Sequence, residues 1–580
     1  KVFKMSLFDY DDREALGKVI SVDTSSVIVE VLDIEKLKSL QVNRLVVLQS
    51  SKAEQFLIGL IEKLVRKKIF DDSLENEDNF LEENLCKITL IGTFKNREGL
   101  QNNVFRRTLE TVPEIDANCF ALEHDKLTNF MQVISQLSDG ENSLSLGTYT
   151  LDDNAKAYIN GNKLFQRHAF IGGSTGSGKS WTTAKIIEQM AKLNNVNSII
   201  FDLHGEYKPL KDIDNIEYYK IAGPSDIEQN KGLSDNVLHI PYWLLTYEAL
   251  VSMFVDRSDQ NAPNQSMVIS REIRNVKKEY LEEKEQNDIL ANFTIDSPIP
   301  FSLERLLEKL NAINSEMVPG ARAGAEKAGD FNGKLSRMIS RLENKISDKR
   351  MGFLFGGGEF VMEFDWLNKL VETLIGVNSE NSKAGIKIVD FSEVPSDILP
   401  LIVSLIARLS FSVQQWTKSK ERHPIALLCD EAHLYIPNKS SSSSSDEISL
   451  SIFERIAKEG RKYGLSLVVI SQRPSEVNRT VLSQCSNFIA MRLTNTDDQM
   501  VIKKLLPDNL GGFGDILPIL DTGEALVVGD ASLLPSRIRI DKPLKTPDSG
   551  TVEFWDEWQK DVKSNRINNA VNNWRKQNIN

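Results

Sequence analysis

The sequence predicts an α/β protein: a parallel sheet covered on both faces by helices, carrying a helical insertion and preceded by a small all-β module. Three observations predict it. Between about 150 and 540, short continuous apolar runs alternate with amphipathic stretches, as buried parallel strands joined by helices do. Before residue 145, β-branched and aliphatic runs recur at near-regular spacing with turn-like stretches between them. At 580 residues the chain is also too long for one hydrophobic core, so two or three domains are expected.

Hydrophobic content of 41% and charged content of 26% are those of an ordinary globular protein. The net charge of −12 excludes a surface that is basic overall, so any nucleic-acid contact must be local, in a loop or a channel lining. The four cysteines (Cys86, Cys119, Cys429, Cys485) are scattered, which suits neither a zinc site nor a disulfide framework and fits a reducing cytoplasm. No apolar run approaches the ~20 residues that span a bilayer, and no signal peptide is visible. The expectation is a cytoplasmic protein without a membrane partner.

In chain order, Val19–Val22, Val27–Leu32, Leu45–Leu48, Cys86–Phe94 and Val104–Thr108 read as short strands of a barrel or sandwich over residues 1–145. The acidic stretch Asp71–Glu83 reads as a solvated loop. Nothing in this region has the spacing of a catalytic site, so it reads as an assembly or docking module. Residues 146–540 follow as the alternating core. Ala169–Ile171 is its first strand, and Thr183–Leu193 is helical through Ala184, Ile187 and Ala191 until Asn194 and Asn195 stop it. Ser198–Leu203 is a strand that delivers Asp202, followed by His204, Gly205, Glu206 and Tyr207.

Residues 224–360 break the alternation. Here His239–Phe254 is rich in large apolar side chains, Met267–Glu285 is helical, and Ala321–Lys349 is charged and helical. Arg271, Arg274, Lys277 and Lys278 read as a solvated helix face. Strands at Ile386–Phe391 and Ile425–Cys429 flank a long apolar helix, Ile398–Trp416. The Ser440–Ser445 run is flexible, Ile448–Arg461 is amphipathic, and Gly464 suits the position just past a helix. Leu465–Ile470, Phe488–Leu493 and Glu524–Val528 are further strands. The tail, 541–580, carries Phe554, Trp555, Trp558 and Trp574 and reads as a helix docked on its own domain or on a neighbouring subunit.

The stretch HAFIGGSTGSGKSW, His168–Trp181, holds Gly173, Gly178, Lys179 and Ser180 at the spacing of a phosphate-binding loop between a strand and a helix. Gly173, Gly176 and Gly178 let backbone N–H groups approach phosphate oxygens. Lys179 brings a point charge to the β- and γ-phosphates, Ser180 offers a hydroxyl to Mg²⁺, and the helix adds its positive dipole end. Thr175, Ser177 and Trp181 complete the segment that would wrap ATP.

Hydrolysis also needs an acid near Mg²⁺ and a group for the attacking water. The run IALLCDE, Ile425–Glu431, delivers both to the sheet edge: Asp430 to hold Mg²⁺ through water and Glu431 to polarise the nucleophile. Gln472 ends the next strand, where an amide can reach the γ-phosphate and the water. Arg461 ends the preceding helix and could reach out of its own subunit.

Together GGSTGSGKSW, FDLHGEY, HIPYWLLTYEAL, LLCDEAHLYIP, AKEGRKYG and VVISQRPSEV closely resemble the HerA-type hexameric ATPases of the HerA/FtsK superfamily, across roughly 150–540. The resemblance implies a RecA-like P-loop ATPase core, an N-terminal barrel of that family's HAS type, and a homohexamer with ATP between subunits and double-stranded DNA in a central channel. It implies that Lys179 and Ser180 bind phosphates and Mg²⁺, that Asp430 and Glu431 are the Walker B pair, that Gln472 senses the γ-phosphate, and that Arg461 is a finger acting in trans. It also implies that Arg167, Arg537 and Ile538 come near the nucleotide. The serine run departs from the family pattern; it is either a ring-facing loop touching phosphates or a surface insertion.

The function so implied is an ATP-driven DNA translocase. It would work with a nuclease, a NAD-hydrolysing enzyme or another effector docked on the barrel, in DNA end processing or in antiphage defence. The alternative is a ring scaffold that controls an effector with little DNA movement. A packaging or conjugation motor would need a membrane anchor.

Overall fold

A computed structural model of the chain describes residues 7–31, 33–70, 80–99, 101–135, 144–319, 326–377, 379, 382, 384–438, 444–505, 514–550, 552–561 and 566–576. It contains two compact units, Lys1–Leu164 with Ser486–Lys542, and Phe165–Cys485 with Pro543–Asn580.

The first unit holds the expected barrel. Its strands are β1 (Gly17–Val22), β2 (Ser26–Glu30), β3 (Leu45–Gln49), β4 (Gln55–Phe70), β5 (Phe80–Glu98), β6 (Gln101–Arg106) and β7 (Asn118–Ala121). They pair in the order β2-β1-β7-β3-β4-β5-β6, and β5 returns to β2, so six strands close and β6 hangs on β5. Closure follows from period-two patterning: Val27 and Val29 face inward opposite Ile88 and Cys86, and Val46, Leu48, Leu57 and Ile61 complete the core. One end is filled by rings. Phe94 lies 4.7 Å from Phe8 and 6.1 Å from Phe130, between centroids, and Phe130 sits on the helix His124–Ile134.

One sequence expectation changes here, and one strand is added. The stretch expected to be an acidic loop ends in strand, because β5 begins at Phe80; residues 71–79 lie outside the described residues. Gln55–Phe70, which carries charges on both faces, is a 16-residue strand paired with β5 along its length.

The same unit carries β8 (Leu144–Tyr149), β9 (Asp152–Ile159), β19 (Asn487–Ala490), β20 (Glu524–Gly529) and β21 (Ser536–Ile540). They are antiparallel neighbours in the order β19-β20-β21-β8-β9. The last strands of the chain thus pack with its beginning.

The second unit is the parallel sheet. Its strands are β10 (Ala169–Gly172), β11 (Ser198–Asp202), β12 (Ile216–Ile221), β13 (Val237–Leu238), β16 (Ile386–Asp390), β17 (Ile425–Cys429) and β18 (Leu465–Ser471). The order is β13-β12-β16-β11-β17-β18-β10, all parallel. Every residue of β10, β11, β17 and β18 is buried, as the continuous apolar runs require. The helices Lys179–Ala191, Leu399–Trp416 and Ser444–Tyr463 cover it.

Between β13 and β16 lies the helical insertion, with Ala262–Glu283 its longest helix and a small hairpin, β14 (Met317–Pro319) and β15 (Glu326–Ala328). Among its described residues the charged stretch Ala321–Lys349 is α-helical over Ser336–Ser347. Lys277 is not on a solvated face. It is 1% exposed, and its Nζ donates to the carbonyls of Ile295 and Ser297 at 2.7 Å each. A lysine tolerates such burial because both carbonyls receive its charge; burial still lowers its pKa to about 8.

The serine run lies outside the described residues up to 443, and a helix starts at Ser444, ahead of the expected Ile448. In the tail, the N–H groups of Leu544 and Lys545 reach the Glu188 carboxylate and Asp548 N donates to Glu206 O at 2.7 Å. Beyond that, Phe554, Trp555, Trp558 and Trp574 are all more than 60% exposed in the single chain.

Candidate active site

Parallel strands deliver their carboxyl ends to one edge, and register decides which ends meet. Phe201 lies opposite Cys429, Cys429 opposite Val469, and Gly172 opposite Ser471. The next residues along each strand are Asp202, Asp430, Gln472 and Gly173. The sheet therefore brings the phosphate loop, the acidic pair and the glutamine together.

The loop starts from a fixed base. His168 is buried; its Nδ1 accepts from Leu467 N at 2.9 Å, so Nε2 carries the proton toward Ala457 O at 3.1 Å. Burial lowers its pKa, consistent with a neutral ring. Gly176 (φ 74°) and Gly178 (φ 108°) then take left-handed backbone that turns the N–H groups inward. Nothing lies within 4 Å of where a Cβ on Gly176 would be, so the cradle is open. Ser177 is fully buried and its N donates to Ser174 O at 3.1 Å. Lys179 and Ser180 open the helix, with Trp181 37% exposed in its first turn.

Thr175 Oγ1 donates to Gln472 Oε1 at 2.6 Å, which puts the glutamine on the phosphate loop. Asp430 is buried; Glu431 N donates to its Oδ1 at 3.0 Å and Tyr435 OH to its carbonyl at 2.8 Å. Burial drives the Asp430 carboxyl well above the usual range, and the charges of Glu431, Glu206 and Asp202 push the same way. Glu431 takes a left-handed conformation (φ 43°, ψ 43°), rare for a residue with a side chain and a form of strain that collects at functional sites. Its Oε2 is buried without a hydrogen bond, 3.3 Å from His433 Nδ1 but out of hydrogen-bond geometry. His433 Nδ1 is also 3.3 Å from Ser471 Oγ.

Three participants escaped the sequence reading. Ser180 Oγ donates to Glu206 Oε2 at 2.7 Å, Asp202 accepts from the N–H groups of Glu206 and Tyr207, and His433 stands beside Glu431. Burial raises Asp202 to about 7, with Asp390 and Glu206 adding to it. The one available signal was position: a polar run directly after a buried parallel strand.

These residues fit ATP with Mg²⁺. The cradle has room, and Lys179 has no ion pair among the described residues. A hydroxyl beside mutually repelling carboxylates is a hard-oxygen donor set. Among the described residues no three His, Cys, Asp or Glu side chains group to hold a metal by themselves.

The four remaining expected residues are placed as follows. Arg461 is exposed at the end of its helix, just before β18 begins, and therefore at the opposite sheet edge from Gln472. Seven residues of strand separate them by about 20 Å. In the first unit, Arg537 donates to Glu524 Oε2 at 2.7 Å and Ile538 is buried in β21. Arg167 is exposed beside His168.

Residues 144–410 match the family described as the central domain of helicase HerA. The chain is 26% identical over 430 residues to the DNA double-strand break repair helicase HerA of Sulfolobus acidocaldarius, covering 73% of this chain and 74% of that one. It is 26% identical over 470 residues to the protein of the same name from Pyrococcus furiosus, covering 75% and 77%. Among solved structures, VirB4 of Thermoanaerobacter pseudethanolicus aligns with 70% of this chain and 97% of its own, at 16% identity and a TM-score of 0.43. Among the described residues no helix is long and apolar enough to cross a membrane. With the phosphate loop, acidic pair and glutamine on one sheet edge, the chain is a P-loop ATPase whose central part is similar to that of the HerA helicases.

Proposed function

We propose that the chain hydrolyses ATP to drive double-stranded DNA through a ring of six copies, each site being completed by Arg461 of the next subunit. The observation that carries this is the separation of Arg461 from its own phosphate loop by the length of β18. A guanidinium that cannot reach the γ-phosphate at home is free to serve a neighbour, where such a finger gives a large rate gain. Arg167, Arg537 and Ile538 would border the nucleotide from the adjoining surfaces.

The backbone N–H groups of Gly173–Ser180 would hold the triphosphate, with Lys179 on its β- and γ-oxygens. Ser180 and, through water, Asp430 would hold Mg²⁺. When bound with ATP, Mg²⁺ would supply positive charge that offsets the negative charge of the phosphates. The Glu431 carboxylate, whose Oε2 has no hydrogen bond, accepts from the attacking water, and neutral His433 keeps it turned that way. The Gln472 amide, drawn to the loop by Thr175, orients the same water against the γ-phosphate.

DNA as the moved substrate follows the relatives named as DNA double-strand break repair helicases. The closed N-terminal barrel offers a docking face for a nuclease, a NAD-hydrolysing enzyme or another effector, serving DNA end processing or antiphage defence. The test is the ATPase rate of the purified chain with and without duplex DNA. A severalfold rise supports a motor. An unchanged rate at saturating duplex sinks it and favours an ATP-gated scaffold.

A further inference from the structure

We propose that Glu206 is the carboxylate that orients the Ser180 hydroxyl toward Mg²⁺, and that Asp202 is the positioning residue that holds Glu206 there. This rests on the reading of Ser180 as a magnesium ligand.

A hydroxyl ligates a cation through its oxygen lone pairs, so its hydrogen must point elsewhere, onto an acceptor. The acidic pair after β17 is the obvious source of that acceptor, yet the structure gives Ser180 another. Ser180 Oγ donates to Glu206 Oε2 at 2.7 Å, the short distance of a charge-assisted bond. One Asp430 oxygen is meanwhile taken by Glu431 N at 3.0 Å. Glu206 comes from the turn after β11, which neighbours β17 in the sheet.

That turn is built rather than loose. The buried Asp202 carboxylate accepts Glu206 N on Oδ1 at 3.0 Å and Tyr207 N on Oδ2 at 2.9 Å. Gly205 (φ 72°) reverses the chain, and Tyr207 is fully buried just beyond. With both backbone donors pinned, the Glu206 side chain has one anchor point from which to meet Ser180. Outer partners of this kind tune metal affinity by fixing the ligand's orientation, and their loss typically costs 10–100-fold.

The experiment measures binding of a fluorescently labelled ADP to the full chain, in EDTA and across a Mg²⁺ titration. In Glu206→Ala the affinity in EDTA stays at the wild-type value, while the Mg²⁺ concentration for half-maximal enhancement rises about tenfold. Glu206→Gln, which keeps an acceptor for the hydroxyl, shifts less. Asp202→Asn shifts the half-saturation in the wild-type background and adds nothing in the Glu206→Ala background, because it acts through Glu206. Unchanged Mg²⁺ dependence in both Glu206 variants overturns the proposal, and so does an equal loss of affinity in EDTA and in Mg²⁺, which marks a merely structural role. Ser180→Ala separates the layers. If it also leaves the Mg²⁺ dependence unchanged, the magnesium role of Ser180 has failed and the proposal falls with it. If it raises the half-saturation while Glu206→Ala does not, only the proposal fails.

Discussion

Replacing Glu431 by glutamine should separate binding from chemistry and, at the same time, make the protein harder to unfold. The side chain keeps its size and its place beside His433. It loses the charge that would polarise the attacking water, and positioned groups of this kind contribute roughly 10²–10⁴-fold to rate, or about 3–5 kcal/mol of barrier. The same charge lies against Asp430, whose carboxyl is held well above its usual range by burial first and by Glu431 next. Removing it relieves a repulsion between two carboxylates that are 4% and 8% exposed. Solvent at the sheet edge screens part of that, so the nucleotide-free chain should gain roughly 1 kcal/mol. Single-turnover hydrolysis, labelled-ATP binding and urea denaturation of Glu431→Gln test the three parts. Turnover within tenfold of wild type would remove Glu431 from the chemistry. Loss of binding together with hydrolysis would show that the residue shapes the pocket instead.

Arg461→Ala should be inactive alone yet partly rescued in mixed assemblies with Lys179→Ala subunits, since each lesion spoils a different half of a shared site; mixing at varied ratios and assaying ATPase reads this directly. Lys277→Met should cost about 2–3 kcal/mol in denaturant unfolding, because the carbonyls of Ile295 and Ser297 lose the charged donor they share in a buried site. Stability should also fall with acid through His168. Its folded pKa lies below the usual value, so the unfolded chain takes the proton first. Its contribution is present above about pH 6.5 and is lost as pH falls from there toward the lower folded value. His168 has left-handed backbone (φ 52°); in His168→Asn, which tolerates that backbone and keeps an acceptor for Leu467 N, the acid side of the stability profile should flatten, and an unchanged slope between pH 7 and 5 would refute it.

What the sequence made legible was whatever is contiguous. The phosphate loop and the pair Asp430 and Glu431 are each one stretch of chain, and strand ends placed Gln472 with them. Glu206, Asp202 and His433 were not legible as site members. Their roles depend on β11 lying beside β17 and on Glu431 turning left-handed, and both are properties of register and backbone rather than of spacing. The fold divides the same way. The barrel's alternating strands were readable where one face is buried, as at Val27 and Val29. Gln55–Phe70 was not, because charges such as Lys63 and Lys67 interrupt the period there. Lys277 shows the converse error: composition marks it as solvated, and two carbonyls make its burial possible.

The left-handed backbone at Glu431 has a further consequence for anyone who would engineer this protein. Glycine is the residue that such a backbone angle favours. A procedure that ranks substitutions by folding stability alone would therefore choose Glu431→Gly early, relaxing the chain and deleting the charge in one move. The position marks where fold and catalysis make opposite demands, and here a gain in melting temperature would signal a lost enzyme.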